Sequence, residues 1–306
     1  MRGALIALMA AALLAGCVSL QDAPEGVREP FYDPPTPLPG AGVALVLSGG
    51  SARGFAHAGV IKALEANGLR PDLIVGSSAG SIVGALYASG LTAAELESAL
   101  GRLDARVFSE IAMPGLAFLP SPLGIVRSDG VHRFMDQEVR RHHMEDFPIR
   151  FAAVATDLQT GEPQIFNAGD VGRAVSASSA VPGIITPPRI RGRPYGDGQL
   201  SSPLPVSAAR NLGARVVIAV DVIYPPEDAK LTGALRVVFQ AFVITAYRLK
   251  QWEIAGADSV IVPDLGRTSG QWGFGDRERL IAAGEAATLK AMERLRPLFE
   301  RRGDTK

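Results

Sequence analysis

A serine between two glycines is the residue of this chain best placed to do chemistry. Ser78 stands in Gly76-Ser-Ser-Ala-Gly80, after a short β-rich apolar run and before a helical pattern. A nucleophile elbow requires this strand-turn-helix context, because it holds the serine on a sharp turn whose backbone strain costs about 1–3 kcal/mol. Side chains at positions 76 and 80 would collide across so tight a turn. The helix beginning near Ala79 would point its positive end at an oxyanion beside Ser78. The pattern predicts a nucleophilic serine.

A second glycine turn lies upstream of Ser78, between an apolar strand and a helix. Gly49, Gly50 and Ser51 would present backbone N–H groups at the helix N-terminus, which suits either a phosphate or a developing oxyanion. A dinucleotide-binding fingerprint would have an acidic residue about 20 residues further on, at the end of a second strand. Asp72 has roughly this spacing but precedes its strand, so dinucleotide binding is disfavoured. No G-x-x-x-x-G-K-[ST] motif is present. With Ser78 on the next turn, we predict an oxyanion hole rather than a nucleotide loop.

Histidine, the usual base of an α/β-hydrolase triad, is scarce in this chain. In such triads the histidine follows the serine and the acid, but after Ser78 there are only His132, His142 and His143, in an arginine-rich stretch. His57 precedes Ser78 and is expected to pack inside the first helix, near the glycine loop. His142 and His143 are adjacent and would diverge on a helix, so no metal site is predicted. The lack of a late histidine points to a carboxylate base.

Asp197 is the best candidate for that base. It ends a short predicted hairpin within 189–198, and Gly196 and Gly198 on either side allow close approach to another element. An ordinary Asp-Gly turn is the alternative interpretation. Asp157, at the end of another predicted strand, is the rival acid, although we expect it to order the turn that follows it.

Four blocks of the chain resemble, in the same order, the motifs of the bacterial patatin-like phospholipases. The glycine loop is similar to the family's G-G-G-x-R-G motif, and Gly76–Gly80 is similar to its nucleophile elbow. Ala177-Ser-Ser-Ala-Val-Pro-Gly183 and Asp197-Gly-Gln199 resemble the A-S-x-A-x-P-G and D-G-[GA] blocks. Ser51 replaces the third glycine of the loop, and Gln199 replaces a small residue beside the acid.

The resemblance implies a fold, a reaction and a set of site residues. The fold is α/β: a three-layer α/β/α sandwich with a mostly parallel central sheet. The reaction is hydrolysis of acyl esters of phospholipids or lysophospholipids, without a cofactor. Ser78 is implied as the nucleophile and Asp197 as the base. The amides of Gly49, Gly50 and Ser51 are implied as the oxyanion hole, and the supporting motif residues are Arg53, Gly54, Gly76, Gly80 and Gly198.

Two other functions use the same features. An acyltransferase would pass the acyl group to an alcohol other than water through the same dyad. A lipid-binding lipoprotein with an inactive site is the alternative outside catalysis, and Gln199 is its only sign.

The elements that must position these residues alternate as in an α/β domain. Thr92 and Glu95 form a capping box at the start of one helix. Strands are predicted at Val43–Leu47, just before Gly76, and near Ile149–Thr156, Val216–Val222 and Val260–Val262. Further helices are predicted at Phe55–Ala66, at Leu231–Gly256 as a buried helix, and at Arg277–Arg301 as an amphipathic closing helix.

Two segments have open interpretations. Arg189, Arg191 and Arg193 lie close to Asp197 and would either contact a lipid phosphate or form a solvated hairpin face, which we favour. The apolar segment 113–126 is broken by three prolines and is either a lid or a buried connector.

The N-terminus predicts export and lipidation. Residues 1–16 have a charged start and a short apolar run, as in a secretory signal peptide. Leu14-Ala-Gly-Cys17 resembles the bacterial lipobox, and Cys17 is the only cysteine. Because Val18 is not an aspartate, we expect an outer-membrane anchor facing the periplasm. Residues 17–42 are predicted to be a proline-rich tether and 43–306 the catalytic domain.

The charge of the chain is balanced, with 31 basic and 31 acidic residues. Nucleic-acid binding is therefore not predicted, and charge alone would not hold the protein to an anionic membrane.

Overall fold

The computed structural model describes residues 28–33, 42–103, 107, 128–226, 233–266 and 274–300. Cys17, the signal sequence, most of the tether and the segment 113–126 lie outside the described residues, so the predictions made for them stay predictions.

A mostly parallel sheet lies at the centre of the described chain. Five strands pair side by side in parallel, in the order β3-β2-β1-β7-β8, while β4 and β6 pair antiparallel with β3 and β5 completes a hairpin with β6. The strands are β1 (Val43–Leu47), β2 (Leu73–Ser77), β3 (Arg150–Asp157), β4 (Pro163–Phe166), β5 (Arg189–Ile190), β6 (Arg193–Gly196), β7 (Val216–Val220) and β8 (Ser259–Ile261).

Helices cover both faces of this sheet. Alternate residues of a strand point to opposite faces, and those of β1 belong to two separate apolar clusters: Leu45 and Leu47 to one, Ala44 and Val46 to the other. The helices are α1 (Phe55–Ala66), α2 (Ala79–Ala88), α3 (Ala93–Arg102), α4 (Asp129–Glu138), α5 (Val171–Ser178), α6 (Val206–Asn211), α7 (Ala234–Ile254) and α8 (Arg277–Glu300). The three-layer α/β prediction is confirmed.

Two glycines set the crossing of the first and last described helices. A Cβ added to Gly59 of α1 would overlap the carbonyl oxygen of Ile281, and one added to Gly284 of α8 would overlap that of Ala56. The two backbones therefore touch without intervening side chains. Because α1 begins directly after the glycine loop, this contact fixes the helix that carries the loop.

Most predicted elements are confirmed, and α7 is not buried as expected. Both halves of the Thr92 capping box are formed. Helix α7 lies within the predicted range, but Val237, Val238, Ile244 and Trp252 are exposed. Among the described residues no helix is both long and apolar enough to cross a membrane.

Candidate active site

The two glycine turns meet at one edge of the sheet. Strands β1 and β2 are parallel neighbours, so the turns at their carboxyl ends lie side by side. Ser78 stands between β2 and α2 with φ 52° and ψ −124°, a left-handed conformation that stores strain. The elbow predicted from the sequence is therefore formed.

The glycines that flank Ser78 are required by close backbone contacts. A Cβ on Gly76 would overlap the carbonyl group of Gly80, as the sequence predicts for a tight turn. A Cβ on Gly80 would instead overlap the carbonyl oxygen of Leu47 at the end of β1. The second glycine thus serves the packing of the elbow against the neighbouring strand.

Asp197 follows β6 and reaches Ser78 across β3, which lies between β6 and β2. The Ser78 hydroxyl donates to Asp197 Oδ2 at 2.7 Å, and the Gln199 amide donates to Asp197 Oδ1 at 2.9 Å. The Asp197 amide donates to the Ala180 carbonyl at 2.9 Å. At Gly198 a Cβ would overlap the Val154 carbonyl oxygen, so glycine lets the acid approach the elbow. The structure brings the two predicted dyad residues into direct contact.

Burial changes the pKa of the Asp197 carboxyl group. Asp197 has no solvent-exposed surface. Burial raises the pKa of its carboxyl group to about 7, although the hydrogen bonds from the Gln199 amide and the Ser78 hydroxyl favour the charged form. A base with a pKa close to neutral can take a proton from a serine and return it within one catalytic cycle.

The rival acid, Asp157, has a structural role. Its Oδ1 accepts from the Gln159 amide at 2.9 Å, and its Oδ2 accepts from Arg193 Nε at 2.6 Å. Asp157 thus orders the following turn, as the sequence predicts, and it also holds the adjacent hairpin through Arg193.

Within the glycine loop, the Gly49 amide is not available to the site. The Gly49 amide donates to the Pro203 carbonyl at 3.0 Å. Our prediction that Gly49 is an oxyanion donor is therefore corrected: this amide is already satisfied, which leaves Gly50 and Ser51 as the candidates. Ser51 has φ 52°, so serine occupies a backbone conformation that favours glycine.

An apolar pocket opens beside the Ser78 hydroxyl. Its floor comes from α1, α2 and α3 and from the segment that follows α5. The apolar residues that line it include Phe55, Ile82, Leu100, Leu103, Val181 and Ile184. A cavity with this lining excludes charged groups and suits a hydrocarbon chain.

Comparison with known proteins agrees with these features. A family model described as patatin-like phospholipase matches residues 45–210, more than half of the chain. The chain belongs to the patatin-like phospholipase family.

Relatives with curated sequences include members of the NTE family. An uncharacterized NTE family protein of Mycobacterium tuberculosis is 36% identical over 180 residues, which cover 59% of this chain and 49% of the relative. Patatin-like phospholipase domain-containing protein 6 of Homo sapiens is 32% identical over 231 residues, or 74% of this chain and 16% of that protein. This chain thus aligns with half or less of the length of these relatives.

A solved structure of VipD from Legionella pneumophila also matches. It is 13% identical to this chain, has a TM-score of 0.45, and the match covers 92% of this chain and 72% of VipD.

The third block of the patatin-like domain contains a contact that sequence reasoning missed. Ser178 Oγ accepts from the Ser78 amide at 3.0 Å and donates to the Val154 carbonyl at 2.6 Å. It therefore ties the strained elbow to β3. The family block drew attention to residues 177–183, but nothing in their types indicated which serine reaches Ser78.

Gln199, which departs from the family motif, packs against the glycine loop, and Arg53, a supporting motif residue, lies within that loop. The Gln199 side chain fills the space beside Gly49, where a Cβ would overlap it. The hydrogen bond to Asp197 comes from the Gln199 backbone amide, so it does not depend on the side chain. Arg53 is buried, with its guanidinium carbon 5.5 Å from the centre of the Tyr224 ring.

His57 is buried beside the loop, as predicted. Its Nε2 donates to the Ser48 carbonyl at 2.8 Å. Burial lowers the pKa of His57 to about 4, and the bond to Ser48 opposes that change only in part. The ring is therefore neutral near pH 7 and holds the loop in place.

His132 lies in a cluster with Asp136 and Asp170 that the spacing of these residues in the sequence did not reveal. His132 Nε2 lies 3.4 Å from Asp136 Oδ2 and 3.3 Å from Asp170 Oδ1. Asp170 also caps α5 by accepting from the Arg173 amide at 2.7 Å. Although these three groups are close enough to hold a cation, capping and ion pairing already account for them.

The contacts of Arg189, Arg191 and Arg193 lie within the protein, which favours a structural role in the hairpin over contact with a lipid phosphate. Arg193 pairs with Asp157, Arg189 donates to the Gly192 carbonyl, and the Arg191 guanidinium carbon lies 5.0 Å from the centre of the Phe31 ring.

Proposed function

We propose that this protein is a lipid acyl hydrolase, of the phospholipase A or lysophospholipase type, that works through an acyl-enzyme. The observation that carries the proposal is the hydrogen bond between Ser78 Oγ and the buried Asp197 carboxylate, beside an apolar pocket. Family membership and the name of one relative, lysophospholipase nte1 of Aspergillus fumigatus, 35% identical over 192 residues, support a lipid substrate.

Acylation follows from this geometry. Ser78 Oγ attacks the acyl carbonyl carbon while Asp197 Oδ2 takes its proton. The tetrahedral oxyanion accepts hydrogen bonds from the Gly50 and Ser51 amides, at the positive end of the helix that follows the loop. When the carbon–oxygen bond to the lipid alcohol breaks, Asp197 gives the proton to the departing oxygen, and the acyl group stays on Ser78.

Deacylation reverses these roles with water. Asp197 accepts a proton from a water molecule, whose oxygen attacks the acyl carbonyl. The intermediate releases a fatty acid, and the proton returns to Ser78 Oγ. The apolar pocket holds the hydrocarbon chain through both steps.

We further propose that the protein acts at a membrane to which it is anchored. A lipid on Cys17, after removal of residues 1–16, would hold the catalytic domain at the outer membrane on the periplasmic side. The lipobox-like sequence and the proline-rich residues 17–42 support this part of the proposal.

The test is hydrolysis of mixed phospholipids by purified protein, with mass analysis of the products. Ser78→Ala is expected to lower the release of fatty acid at least about a thousandfold, because the oxyanion hole and pocket cannot replace the nucleophile. The alanine variant should keep its thermal stability and lose labelling by a fluorophosphonate. Residual activity within tenfold of wild type would contradict the proposal, and acyl transfer to another alcohol would appear as a different product.

A further inference from the structure

Helix α7 is apolar on both of its long sides, although the described part of the chain buries only one. Phe242, Val243 and Ala246 are buried, with at most 8% of any of them exposed. The opposite side carries residues spaced by three or four positions, which align along one face of a helix. We call this row the outer stripe; its members are Val237, Ala241, Ile244, Arg248 and Trp252.

The outer stripe is strongly exposed. Val237 is 49% exposed, Ile244 42% and Trp252 83%. The row extends for about 22 Å along the helix. A helix that is apolar all round is normally buried on all sides, so the outer stripe lacks a partner among the described residues.

Helix α7 is basic up to Trp252, and one of its arginines, Arg248, lies in the outer stripe. Between Ala234 and Trp252 the helix contains three cationic residues and no aspartate or glutamate. Arg236 and Arg248 are exposed, whereas Lys250 is buried. Exposed apolar residues with arginines and a terminal tryptophan are typical of helices that lie in the surface of an anionic bilayer.

The buried side of α7 is tied to the loop behind the oxyanion hole. Lys250 Nζ donates to Asp221 Oδ2 at 2.6 Å, and Asp221 directly follows β7. The next amide, from Val222, donates to Ser48 Oγ at 2.9 Å. Ser48 is the first residue of the turn that holds the oxyanion amides.

A second set of hydrogen bonds runs from α7 to the residue that follows Asp197. Glu253 Oε1 accepts from Ser202 Oγ at 2.8 Å. The Ser202 amide donates to the Gly198 carbonyl at 2.8 Å, and Gly198 follows Asp197. Helix α7 is thus bonded through Lys250 and Glu253 to residues that neighbour both active-site loops.

We propose that the outer stripe docks this protein on the surface of an anionic phospholipid bilayer. Trp252 lies at the level of the head groups, while Val237 and Ile244 enter the apolar region and Arg248 pairs with lipid phosphates. Docking through two copies of the stripe is disfavoured because each Arg248 would be buried against a stripe that has no acidic residue to pair with it. The proposal rests on the proposed function only in that the substrate lies in this bilayer.

Tryptophan fluorescence tests this contact directly. The chain has two tryptophans, Trp252 and Trp272, so Trp272→Phe leaves Trp252 as the single reporter. Full-length protein with Trp272→Phe and Ser78→Ala is reconstituted through its own N-terminus on phosphatidylglycerol–phosphatidylcholine vesicles. Brominated phospholipids are expected to quench Trp252, and the quenching should weaken on vesicles of phosphatidylcholine alone.

Charge substitutions separate the stripe from general proximity to the membrane. Val237→Asp with Ile244→Asp should reduce the quenching by about twofold or more, because it costs free energy to move a carboxylate into the bilayer. The matched control is Leu289→Asp on α8, at a residue that is 51% exposed; it should leave the quenching unchanged.

Activity on a soluble ester and on vesicle phospholipid distinguishes a failure of docking from a failure of the proposed function. With Ser78 restored, the stripe variant should hydrolyse a soluble short-chain ester at the wild-type rate and vesicle phospholipid about fivefold more slowly or worse. Absence of quenching by brominated lipid would overturn docking. A Trp252 emission spectrum that is already shifted to shorter wavelength without vesicles would also overturn docking. If that shift depends on protein concentration, a second copy covers the stripe. If it does not, the chain itself covers the stripe. If the protein docks but cleaves neither ester, the proposed function fails while docking stands.

Discussion

At the scale of single residues, the catalytic proposal depends on the charge of Asp197. A protonated carboxyl group cannot accept the Ser78 proton, yet burial favours the protonated form. With the pKa of Asp197 raised to about 7, the group changes charge within the range of pH at which enzymes are assayed. Activity and stability should therefore depend on pH in opposite directions.

We expect kcat/KM for a soluble ester to rise about tenfold per pH unit below pH 7 and to level off above it. Asp197→Asn should keep the shape of the site, lower the rate by roughly a hundredfold to ten-thousandfold, and remove this rise. Asp157→Asn and His57→Ala serve as matched acid and histidine controls, and both should retain the rise. Retention of the rise by Asp197→Asn, or its loss in a folded histidine variant, would refute the dyad.

The stability effect has the opposite sign. Because the pKa of Asp197 is higher in the folded state than in the unfolded state, the folded protein binds more protons between about pH 4 and pH 7. Its free energy of unfolding therefore falls as the pH rises through this window. Asp197→Asn removes that loss, so the variant should be more stable than wild type at pH 8, by at most about 4 kcal/mol, and equally stable near pH 4. Urea unfolding at both pH values measures the difference.

At the scale of elements, the contact between α1 and α8 holds in place the helix that follows the glycine loop of the site. Helix α1 starts at the glycine loop, and its backbone touches α8 through Gly59 and Gly284. Any side chain at these positions must push the helices apart, and α1 cannot shift without moving the loop that it follows.

Gly284→Ala is expected to lower the free energy of unfolding by about 2 kcal/mol or more, because its Cβ would overlap the Ala56 carbonyl. Gly101→Ala is the matched control, since Gly101 lies in helix α3 with nothing closer than 3.9 Å to an added Cβ. That control should raise stability by up to about 1 kcal/mol through helix propensity alone. Equal effects of the two substitutions in thermal unfolding would mean that the helix contact is unimportant.

At the scale of the whole molecule, the position of the domain relative to a membrane decides which lipids it meets. A single acyl chain gives marginal, reversible binding, whereas two or more chains anchor stably. The proposed lipid on Cys17 and the outer stripe of α7 would act together: one retains the protein at the bilayer and the other orients it.

Cys17→Ser is expected to shift the protein from the membrane fraction to a soluble or unprocessed form. Fractionation of the producing cells, with mass analysis of the mature N-terminus, measures this. Ser19→Ala, two residues away, should stay in the membrane fraction. Wild-type protein found entirely in the soluble fraction would contradict lipidation.

The sequence by itself determined the features that arise from neighbouring residues. The elbow at Ser78 and the loop at Gly49–Ser51 follow from glycine spacing between apolar strands and helices, because backbone sterics act over a few residues. The strands and the capping box at Thr92 are local in the same way. The lack of histidines after His143 could also be read from the sequence alone, and it pointed to a carboxylate base.

Only the tertiary structure decided which distant groups meet. Asp197 lies 119 residues after Ser78 and reaches it because β6 pairs with β3, which pairs with β2. The use of the Gly49 amide by Pro203 likewise depends on contacts between segments far apart in the chain. Composition made α7 look buried, but burial is a property of what packs against a helix, and its own residues do not specify that.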